Sequence, residues 1–233
     1  MKKILLIFLM LVTYRAASSQ IIIALLFGNK LNTEKLEFGL LSGPGFSNVS
    51  DMNANARTGF NLGLYFNVKM SQNFFLHPEA IPKEALGAKG LTPYPTGNSD
   101  LDGLFTDGSV TRKIKAIGLP LLVRYRIKGF LFAEGGPQID WQLHTKDEFK
   151  TDINDNPLTY VKQVDEEVTN FSVGLDGGLV YKFRKDKGIG LGLRYCYGLT
   201  DIMKNIEGTQ ANRVWLLYVS IPVGTGKSTS NAK

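Results

Sequence analysis

The chain has 233 residues, a formal net charge of +6 at pH 7 and one cysteine, so a framework of internal disulfides is excluded. Its length suits one all-β domain or one closed barrel. A positive net charge is common in nucleic-acid-binding proteins, but the lysines and arginines are dispersed along the sequence without a cationic stripe or a motif. We therefore expect no nucleic-acid partner.

Residues 1–19 have the pattern of a signal peptide. Lys2 and Lys3 form a charged start, residues 4–12 are apolar, and residues 17–19 (Ala-Ser-Ser) form a small-residue cleavage site. The apolar run is too short to cross a membrane as a helix, and no later stretch has about 18 consecutive apolar residues. We expect a mature chain that is exported and has no helical membrane spans.

The mature chain would begin with residues 20–34, which contain a short apolar run at 21–27. Periodicity assigns this run neither to a strand nor to a helix. Two interpretations stay open for the segment. It either plugs or steadies the domain that follows, or it is a loosely docked N-terminus.

Residues 58–70 show the clearest periodicity in the sequence. From Phe60 to Met70 large apolar residues alternate with small or polar ones, which predicts a β-strand with one apolar face. The strand has about 12 residues, whereas strands of soluble proteins have about 5–6 and tilted membrane strands about 9–11. The pattern therefore favours a membrane strand whose apolar face meets lipid.

Seven further stretches alternate in the same way. The Gly43-Pro44-Gly45 sequence is expected to bend the first strand or end its pairing. Residues 83–110 and 144–169 are predicted to be long loops. The predicted strands are Leu36–Phe46, Phe74–Pro82, Lys113–Ile127, Phe130–Leu143, Asn170–Phe183, Gly188–Thr200 and Arg213–Val223.

Together these stretches predict eight strands whose connections alternate between long and short. This asymmetry is typical of outer-membrane barrels, which have short periplasmic turns and longer external loops. An open sheet edge is untenable in hydrocarbon, so the strands must close. The predicted fold is an all-β, eight-stranded antiparallel up-and-down transmembrane β-barrel over residues 35–224. Residues 20–34 would be periplasmic, and residues 225–233 would form a polar C-terminal tail.

The interior of an eight-stranded barrel has room only for side chains. The alternation places several charged residues inside, where oppositely charged pairs such as Arg124 with Glu134 would form an ionic core. A filled lumen argues against a general diffusion pore and leaves a narrow path for ions or water open. The predicted polar network of the lumen comprises Glu79, Arg124, Arg126, Glu134, Asp140, Asp176, Lys182 and Arg194.

Outward-facing aromatic residues gather near both ends of the predicted strands. An aromatic ring with one wet and one apolar side suits the membrane interface, so we expect two girdles. The loop-end girdle would comprise Phe60, Trp141, Phe171, Tyr197 and Trp215. The turn-end girdle would comprise Phe74, Tyr125, Tyr181 and Phe183.

No motif predicts a catalytic, cofactor or metal site. Residues 224–229 (GTGKST) imitate a phosphate-binding loop but lack its first glycine and the following helix. Residues 152–156 (DINDN) have acidic spacing but lack the turn glycine and distal glutamate of a calcium loop. The two histidines, His77 and His144, show no spacing that predicts a catalytic triad.

Several segments resemble the outer-membrane β-barrel domain family of Gram-negative bacteria, the small porin-like or PorT-like barrels. The segments are residues 59–80, 117–127, 132–140 and 193–202, and the KLEFGL sequence at 35–40 is similar to the start of one branch. The resemblance covers most of residues 21–224 and implies the barrel fold and location in the outer membrane. It implies no catalytic residues. LSGPGF at 41–46 and the polar C-terminus depart from the family pattern.

The leading hypothesis is a non-enzymatic integral protein of the cell outer membrane. It would have a structural or envelope-assembly role, or would bind an envelope or extracellular partner through loops 83–110 and 144–169. The alternatives are a narrow porin-like channel for ions or small solutes and a soluble ligand-binding barrel. The expected partners include outer-membrane lipid and the barrel-assembly machinery.

Overall fold

The computed structural model describes residues 33, 35–153, 155–184, 188–204 and 207–223. The predicted signal peptide, most of the segment 20–34, the GTGKST sequence and the C-terminal tail lie outside the described residues. Among the described residues, no helix has the length and apolar character needed to cross a membrane.

Nine antiparallel strands form one sheet, and eight of them close into a ring. Around the ring the order is β1-β2-β3-β4-β5-β7-β8-β9, and β9 pairs with β1. A helical turn α1 (Ser99–Asp102) and a 3-10 helix (Asp165–Glu167) lie in the connections. The strands are β1 (Leu36–Val49), β2 (Asn55–Lys69), β3 (Phe74–Leu91), β4 (Ser109–Lys128), β5 (Leu131–Ile153), β6 (Asn156–Gln163), β7 (Phe171–Lys182), β8 (Gly190–Gly198) and β9 (Asn212–Pro222).

The eight-stranded up-and-down barrel predicted from the sequence is confirmed by this ring. The three short connections, at residues 70–73, 129–130 and 183–189, lie at one end of the barrel, which we call the turn end. The connections at residues 50–54, 92–108 and 199–211 lie at the opposite end together with β6, and we call this the loop end. The strand β6 is additional to the ring and pairs only with β5 in the sheet order.

The prediction that Gly43-Pro44-Gly45 bends or ends the first strand is wrong. The pairing of β1 with β2 runs without a shift from Leu36 to Ser47, and the register with β9 is the same on both sides of Pro44. A Cβ atom on Gly43 would lie 1.9 Å from the Leu217 carbonyl oxygen. Glycine therefore permits the close approach of β1 to β9 that closes the ring.

The prediction that residues 83–110 and 144–169 are loops is also wrong for much of their length. β3 continues to Leu91, β4 begins at Ser109, and β5 continues to Ile153 before it turns into β6. Within the first segment, residues 92–108 connect the strands. Within the second, only residues 164–170 separate β6 from β7. Glycine, proline and polar residues had suggested turns there, but pairing with neighbouring strands determines the structure.

Two irregularities in register lie at the same height of the barrel wall. One is in β3 between Ile81 and Glu84, and the other is in β5 next to Gln142. Ala116 of β4 pairs with both Glu84 and Gln142, which places the two irregularities on either side of it. An extra residue reverses the alternation of faces beyond it. Strands β2 to β6 thus extend beyond the barrel, and in this extension the residues of opposite parity face inward. We call this extension the cap.

The outer surface of the barrel is apolar. Leu121, Leu175 and Leu193 are 51%, 50% and 48% exposed, and other large apolar side chains surround the ring in the same way. A contiguous apolar surface of this extent is found where a protein meets lipid or a partner. Together with closure of the ring, this surface fits a barrel that crosses a membrane.

Two apolar layers close the inside of the barrel. The turn-end layer comprises Leu41, Tyr65, Phe75, Ile81, Phe132, Val180, Leu216 and Tyr218. The loop-end layer comprises Val49, Leu86, Ala88, Ile114, Ala116, Val168, Cys196, Ile202, Met203 and Val214. Val168 and Met203 come from connections and form an isolated bridge that contributes to the loop-end layer. The lumen is therefore less polar than the sequence predicted, because large apolar residues share the inner face with charged ones.

The lipid-facing surface gives a direct test. Leu193→Arg should lower the free energy of unfolding in lipid vesicles by about 2–4 kcal/mol, because it places a charge near the middle of the bilayer. Leu104→Arg is the matched control, since Leu104 is 43% exposed in the connection between β3 and β4, beyond the membrane belt. Equilibrium unfolding of both variants in denaturant measures the difference. Equal effects of the two substitutions would contradict a lipid-facing surface at Leu193.

Candidate functional site

Arg194 of β8 is the centre of a charged cluster inside the barrel. Its Nη1 and Nη2 atoms donate to the two carboxylate oxygens of Glu79 at 2.7 and 2.6 Å. Its Nε atom donates to Glu134 Oε1 at 2.7 Å. All three side chains are at most 2% exposed. One guanidinium thus joins β3, β5 and β8 across the lumen, with the fork geometry that suits carboxylates.

Arg124 and Tyr218 complete this cluster. Arg124 Nε donates to Glu134 Oε2 at 2.7 Å, and Arg124 Nη2 donates to the Tyr218 hydroxyl at 2.9 Å. The Tyr218 hydroxyl donates to Glu134 Oε1 at 2.8 Å. The ring of Tyr218 lies over Gly192, where a Cβ atom would come within 2.3 Å of it. The missing side chain at Gly192 makes room for the ring that carries the hydroxyl into the cluster.

His77 also belongs to the cluster, although the alternation in β3 predicted only that it points inward. Its Nε2 atom lies 2.8 Å from Glu79 Oε1, and the residue is fully buried. Four charged residues of the predicted network, Glu79, Arg124, Glu134 and Arg194, are therefore brought together with His77 and Tyr218. Asp176 lies at the edge of the cluster, with its Oδ2 atom 3.7 Å from Arg194 Nη1.

A second polar group lies next to the cluster. Gln138 Nε2 donates to Glu84 Oε1 at 2.9 Å and to Asp140 Oδ1 at 2.5 Å, and Ser172 Oγ donates to Asp140 Oδ2 at 3.2 Å. These side chains belong to buried residues of β3, β5 and β7. Asp140, a member of the predicted network, is therefore hydrogen-bonded to the neutral Gln138 and Ser172 and lies near Glu84. No described arginine or lysine forms an ion pair with it.

Arg126 and Lys182 lie away from the cluster, at the turn end. The Arg126 guanidinium lies over the rings of Phe75 and Phe132, at 5.6 and 5.2 Å from their centroids. Lys182 Nζ donates to Glu37 Oε1 at 2.8 Å, and both side chains are 2% exposed. The predicted eight residues therefore do not form one network. Alternation along a strand predicts which side chains point inward. The height of each side chain within the barrel depends instead on the register between strands.

Three residues of the lumen were missed by sequence reasoning. Tyr218 lies on a strand whose inner face looked apolar, and Glu37 lies at the start of the first strand. Glu84 lies in a segment predicted to be a loop. The alternation in β1 and β9 indicated inward positions for Glu37 and Tyr218. For Glu84 no such signal existed, because the bulge in β3 reverses the alternation just before it.

The predicted girdle residues all lie on the outer surface, and each is between 43% and 60% exposed. Several of them pair across neighbouring strands, which places them at a common height. At the loop end Trp141 stacks on Phe171, and at the turn end Phe74 packs on Tyr125. Phe46, which was not predicted, lies opposite Trp215 in the register of β1 and β9.

The cap has its own hydrophobic core and an open cleft. Leu91, Phe105, Val110 and Phe149 are buried in this core, and Tyr160 of β6 packs against it. The cleft has a volume of about 340 Å³. It is lined by Asp51, Met52, Asn53, Leu91, Thr92, Tyr94, Arg112 and Glu167.

A bidentate ion pair forms the floor of the cleft. Arg112 Nε and Nη2 donate to the two carboxylate oxygens of Asp147 at 2.8 and 2.6 Å, and the Tyr94 hydroxyl donates to Asp147 at 2.7 Å. Burial raises the pKa of Tyr94, and the neighbouring Asp147 raises it further. Burial alone would lower the pKa of Arg112, but the bonds to Asp147 raise it overall. Both groups therefore keep their protons at neutral pH.

The described residues contain no group of three or more histidine, cysteine or acidic side chains arranged to hold a metal ion. His144 lies on the surface, with Nδ1 3.7 Å from Asp165 Oδ2. His77 and His144 are not brought together, and neither belongs to an arrangement of nucleophile, base and acid. No cofactor or metal can be assigned to the lumen or to the cleft from the residues that line them.

Comparison with solved structures finds similar chains at low sequence identity. Ail, the attachment invasion locus protein of Yersinia pestis, is 13% identical, with 82% of this chain and 99% of that chain covered and a TM-score of 0.44. Neisserial surface protein A is 11% identical, with 82% and 100% covered and a TM-score of 0.40. OprG of Pseudomonas aeruginosa is 10% identical, with 81% and 94% covered and a TM-score of 0.33.

None of the curated proteins compared with the chain matches it. A family model does match, over residues 25–204, and it describes an outer membrane protein beta-barrel domain. The matched range includes β1 to β8 of the ring. The chain therefore belongs to the outer membrane protein beta-barrel domain family, and the protein is located in the outer membrane.

Proposed function

We propose that the protein is a non-enzymatic integral outer-membrane barrel that serves as a scaffold and acts through the cap at its external end. The observation that carries this proposal is the contrast between the two ends of the wall. The lumen is filled by buried ion pairs and large apolar side chains, whereas β3, β4 and β5 continue into an ordered cap with an open cleft.

The filled lumen supports a scaffold role. The cluster around Arg194 occupies the middle of the barrel among the upper residues of the turn-end layer, since Tyr65 pairs with Glu79 and Leu216 pairs with Arg194. Val168 and Met203 contribute to the layer above. A solute that crossed the barrel would have to displace buried side chains in all three. Because Arg194 and Arg124 hold Glu79 and Glu134 by several short hydrogen bonds, the interior suits a rigid support for the strands better than a passage.

The cap supports a binding role at the cell surface. In this family of barrels the longer connections are external, so the cap would face the cell exterior. Its core contains four buried apolar residues, and its cleft combines apolar side chains such as Met52 and Leu91 with the charged Asp51 and Glu167. Ordered, concave surfaces with a few polar groups are the usual form of a binding site. The predicted partner in the envelope or outside the cell would bind here.

A narrow channel remains the second candidate, and one feature favours it. Glu84, Asp140 and Asp176 are buried carboxylates in the loop-end half of the lumen, and acidic side chains line many cation paths. The loop-end layer separates them from the external solvent in this structure. Conduction would therefore require that layer to open.

The buried or paired titratable groups support a non-enzymatic role. His77 is fully buried and bound to Glu79, so it has no access to a substrate. In the cleft the cationic Arg112 is held by Asp147. These groups are engaged in structural pairs, and no described residue beside them supplies a nucleophile with an adjacent base.

The sealed lumen predicts electrical silence. The refolded protein, inserted in planar lipid bilayers, should give no single-channel current at moderate voltage, because two apolar layers interrupt the path. Insertion is verified on the same preparation by the heat-dependent electrophoretic mobility of the folded barrel. Steady unitary currents from verified protein would contradict the scaffold proposal and support the channel.

The charged cluster predicts a specific pattern of stability. Arg194→Ala should lower the free energy of unfolding by about 3–5 kcal/mol, because it leaves Glu79 and Glu134 buried with too little positive charge. The double variant Glu79→Ala/Arg194→Ala should lose less than Arg194→Ala alone, since Glu134 keeps Arg124 and Tyr218 as partners.

Denaturant titration in vesicles measures both variants of this cluster. Arg213→Ala is the control, because Arg213 lies on the outer face and donates to the Gly198 carbonyl oxygen. It should change the stability by less than about 1 kcal/mol. A double variant less stable than Arg194→Ala would refute the assignment of the cluster as a compensated ion-pair network.

The cap should unfold without the barrel when its central ion pair is removed. Asp147→Ala deprives the buried Arg112 and Tyr94 of their shared partner, and we expect limited proteolysis within residues 92–108 to become at least about tenfold faster. The barrel should keep its compact electrophoretic mobility. Asp152→Ala, at an exposed position of the same strand, is the control and should leave the proteolysis rate unchanged. Unaltered cleavage of Asp147→Ala would show that this pair does not stabilise the cap.

A further inference from the structure

Lysines that are scattered in the sequence meet on the outward face of the cap. These lysines are dispersed along the sequence, but the register between β3, β4 and β5 brings them together. Lys113 of β4 lies opposite both Gly87 of β3 and Lys146 of β5, and Lys115 lies opposite Ala85 and His144. The basic patch comprises Lys83, Lys89, Lys113, Lys115, Lys146 and Lys150.

The basic patch carries a large excess of positive charge. Glu148 is the one acidic side chain that faces outward within residues 83–89, 109–117 and 144–150, all of which the structure describes. Three lysines share it, with Nζ atoms of Lys113, Lys146 and Lys150 at 2.5, 3.2 and 4.0 Å from its oxygens. Burial would raise the pKa of Glu148, but the hydrogen bonds from the lysines lower it overall.

The remaining lysines of the patch are not neutralised by the protein. Lys89 and Lys115 are exposed, and neither side chain forms a hydrogen bond or ion pair with another described residue. Lys83 Nζ lies over the ring of Phe60, 5.4 Å from its centroid. In addition, Lys113 and Lys146 face each other directly across β4 and β5, an arrangement that is repulsive in a sheet, and they share the single carboxylate of Glu148. An anion bound from outside would supply the further negative charge that balances these lysines.

The patch begins where the lipid belt ends. Ile117 pairs with the girdle residue Trp141, and Lys115 lies two residues further along the same strand. With a rise of about 3.4 Å per residue and a tilt of about 45°, Lys115 is about 5 Å above Ile117 and Lys113 about 10 Å above it. The headgroup region on each side of a bilayer is about 5–7 Å thick. Lys83, next to Phe60, and Lys115 therefore lie at the height of lipid headgroups.

The described residues of the opposite wall, in β7 to β9, form no similar patch. At the corresponding height this wall carries Arg213, whose guanidinium lies 3.8 Å from the centroid of the Tyr197 ring and donates to the Gly198 carbonyl oxygen. The positive charge is thus concentrated on the tall wall of β3 to β5, above a surface that already contacts lipid. A ligand that fits this position has an anionic head at the level of the lysines and an apolar body along the belt.

We propose that the basic patch binds the phosphorylated headgroup of an anionic glycolipid in the outer leaflet, whose acyl chains lie against the apolar belt below Ile117 and Trp141. This site is separate from the cleft and from the lumen, so it can be tested whether or not the proposed function holds. Lysines near an anionic surface act as cationic point charges, and their effect declines with ionic strength.

The test uses the refolded full chain in a neutral detergent with lipid A, a bisphosphorylated glycolipid, as the probe. Native mass spectrometry gives the apparent Kd. The triple variant Lys83→Gln/Lys113→Gln/Lys115→Gln should bind at least about tenfold more weakly than the wild type. The control Lys35→Gln/Lys69→Gln/Lys128→Gln removes the same charge at the turn end and should change the apparent Kd by less than about twofold. In these two sets only Lys113 belongs to an ion pair, and the other five lysines, Lys35, Lys69, Lys83, Lys115 and Lys128, are exposed.

A second variant distinguishes weaker lipid binding from misfolding. Lys83→Gln/Lys115→Gln leaves the lysines around Glu148 in place, and it should still bind lipid A several-fold more weakly while the barrel keeps its compact mobility. Dephosphorylated lipid A should bind the wild type as weakly as lipid A binds the triple variant. Inorganic phosphate at millimolar concentration should not displace lipid A.

Three results would overturn the proposal. One is equal binding of lipid A by the triple variant and its control. Another is equal binding of phosphorylated and dephosphorylated lipid by the wild type. The third is displacement of lipid A by inorganic phosphate or by a soluble sulfated oligosaccharide at low concentration, which would assign the patch to a soluble anion.

Discussion

The absence of water in the membrane interior is the constraint on which the rest of the structure depends. Every backbone N–H and C=O group of a membrane strand must bond to a neighbouring strand, and the pairing of β9 with β1 satisfies the last edge. Closure with eight strands leaves an interior as narrow as a hydrophobic core. The charged residues that alternation turns inward must therefore be compensated there, and Arg194 meets this requirement by joining Glu79 to Glu134.

The wall of the barrel is not equally tall around its circumference. β3, β4 and β5 have 18, 20 and 23 residues, whereas β7, β8 and β9 have 12, 9 and 11. The taller side continues into the cap, since the bulges next to Glu84 and Gln142 reset the alternation and direct a second set of apolar residues inward. The lumen and the cap are thus two cores in succession on one set of strands, each closed by its own side chains.

This division assigns different physical roles to the same strands. Within the lipid belt the outer face is apolar and the inner face carries paired charges. Above the belt the inner face carries the apolar core of the cap beside the Arg112–Asp147 pair, and the outer face carries the basic patch beginning at Lys83 and Lys115. The polarity of the two faces reverses because the surroundings reverse, from hydrocarbon outside the barrel to water or headgroups outside the cap. A surface role for the cap and a structural role for the lumen both follow from this arrangement.

The sequence by itself determined the strand periodicity, the closure into eight strands, the inward direction of Glu79, Arg124, Glu134 and Arg194, and the outward aromatic residues. These features depend on local alternation, which has a period of two and needs no knowledge of neighbours. The tertiary structure alone decided which inward charges meet, why Lys182 pairs with Glu37, how Glu84 enters the lumen and that six lysines form one patch. Register between strands and the position of bulges set these contacts, and both arise from pairing between residues that are far apart in the chain.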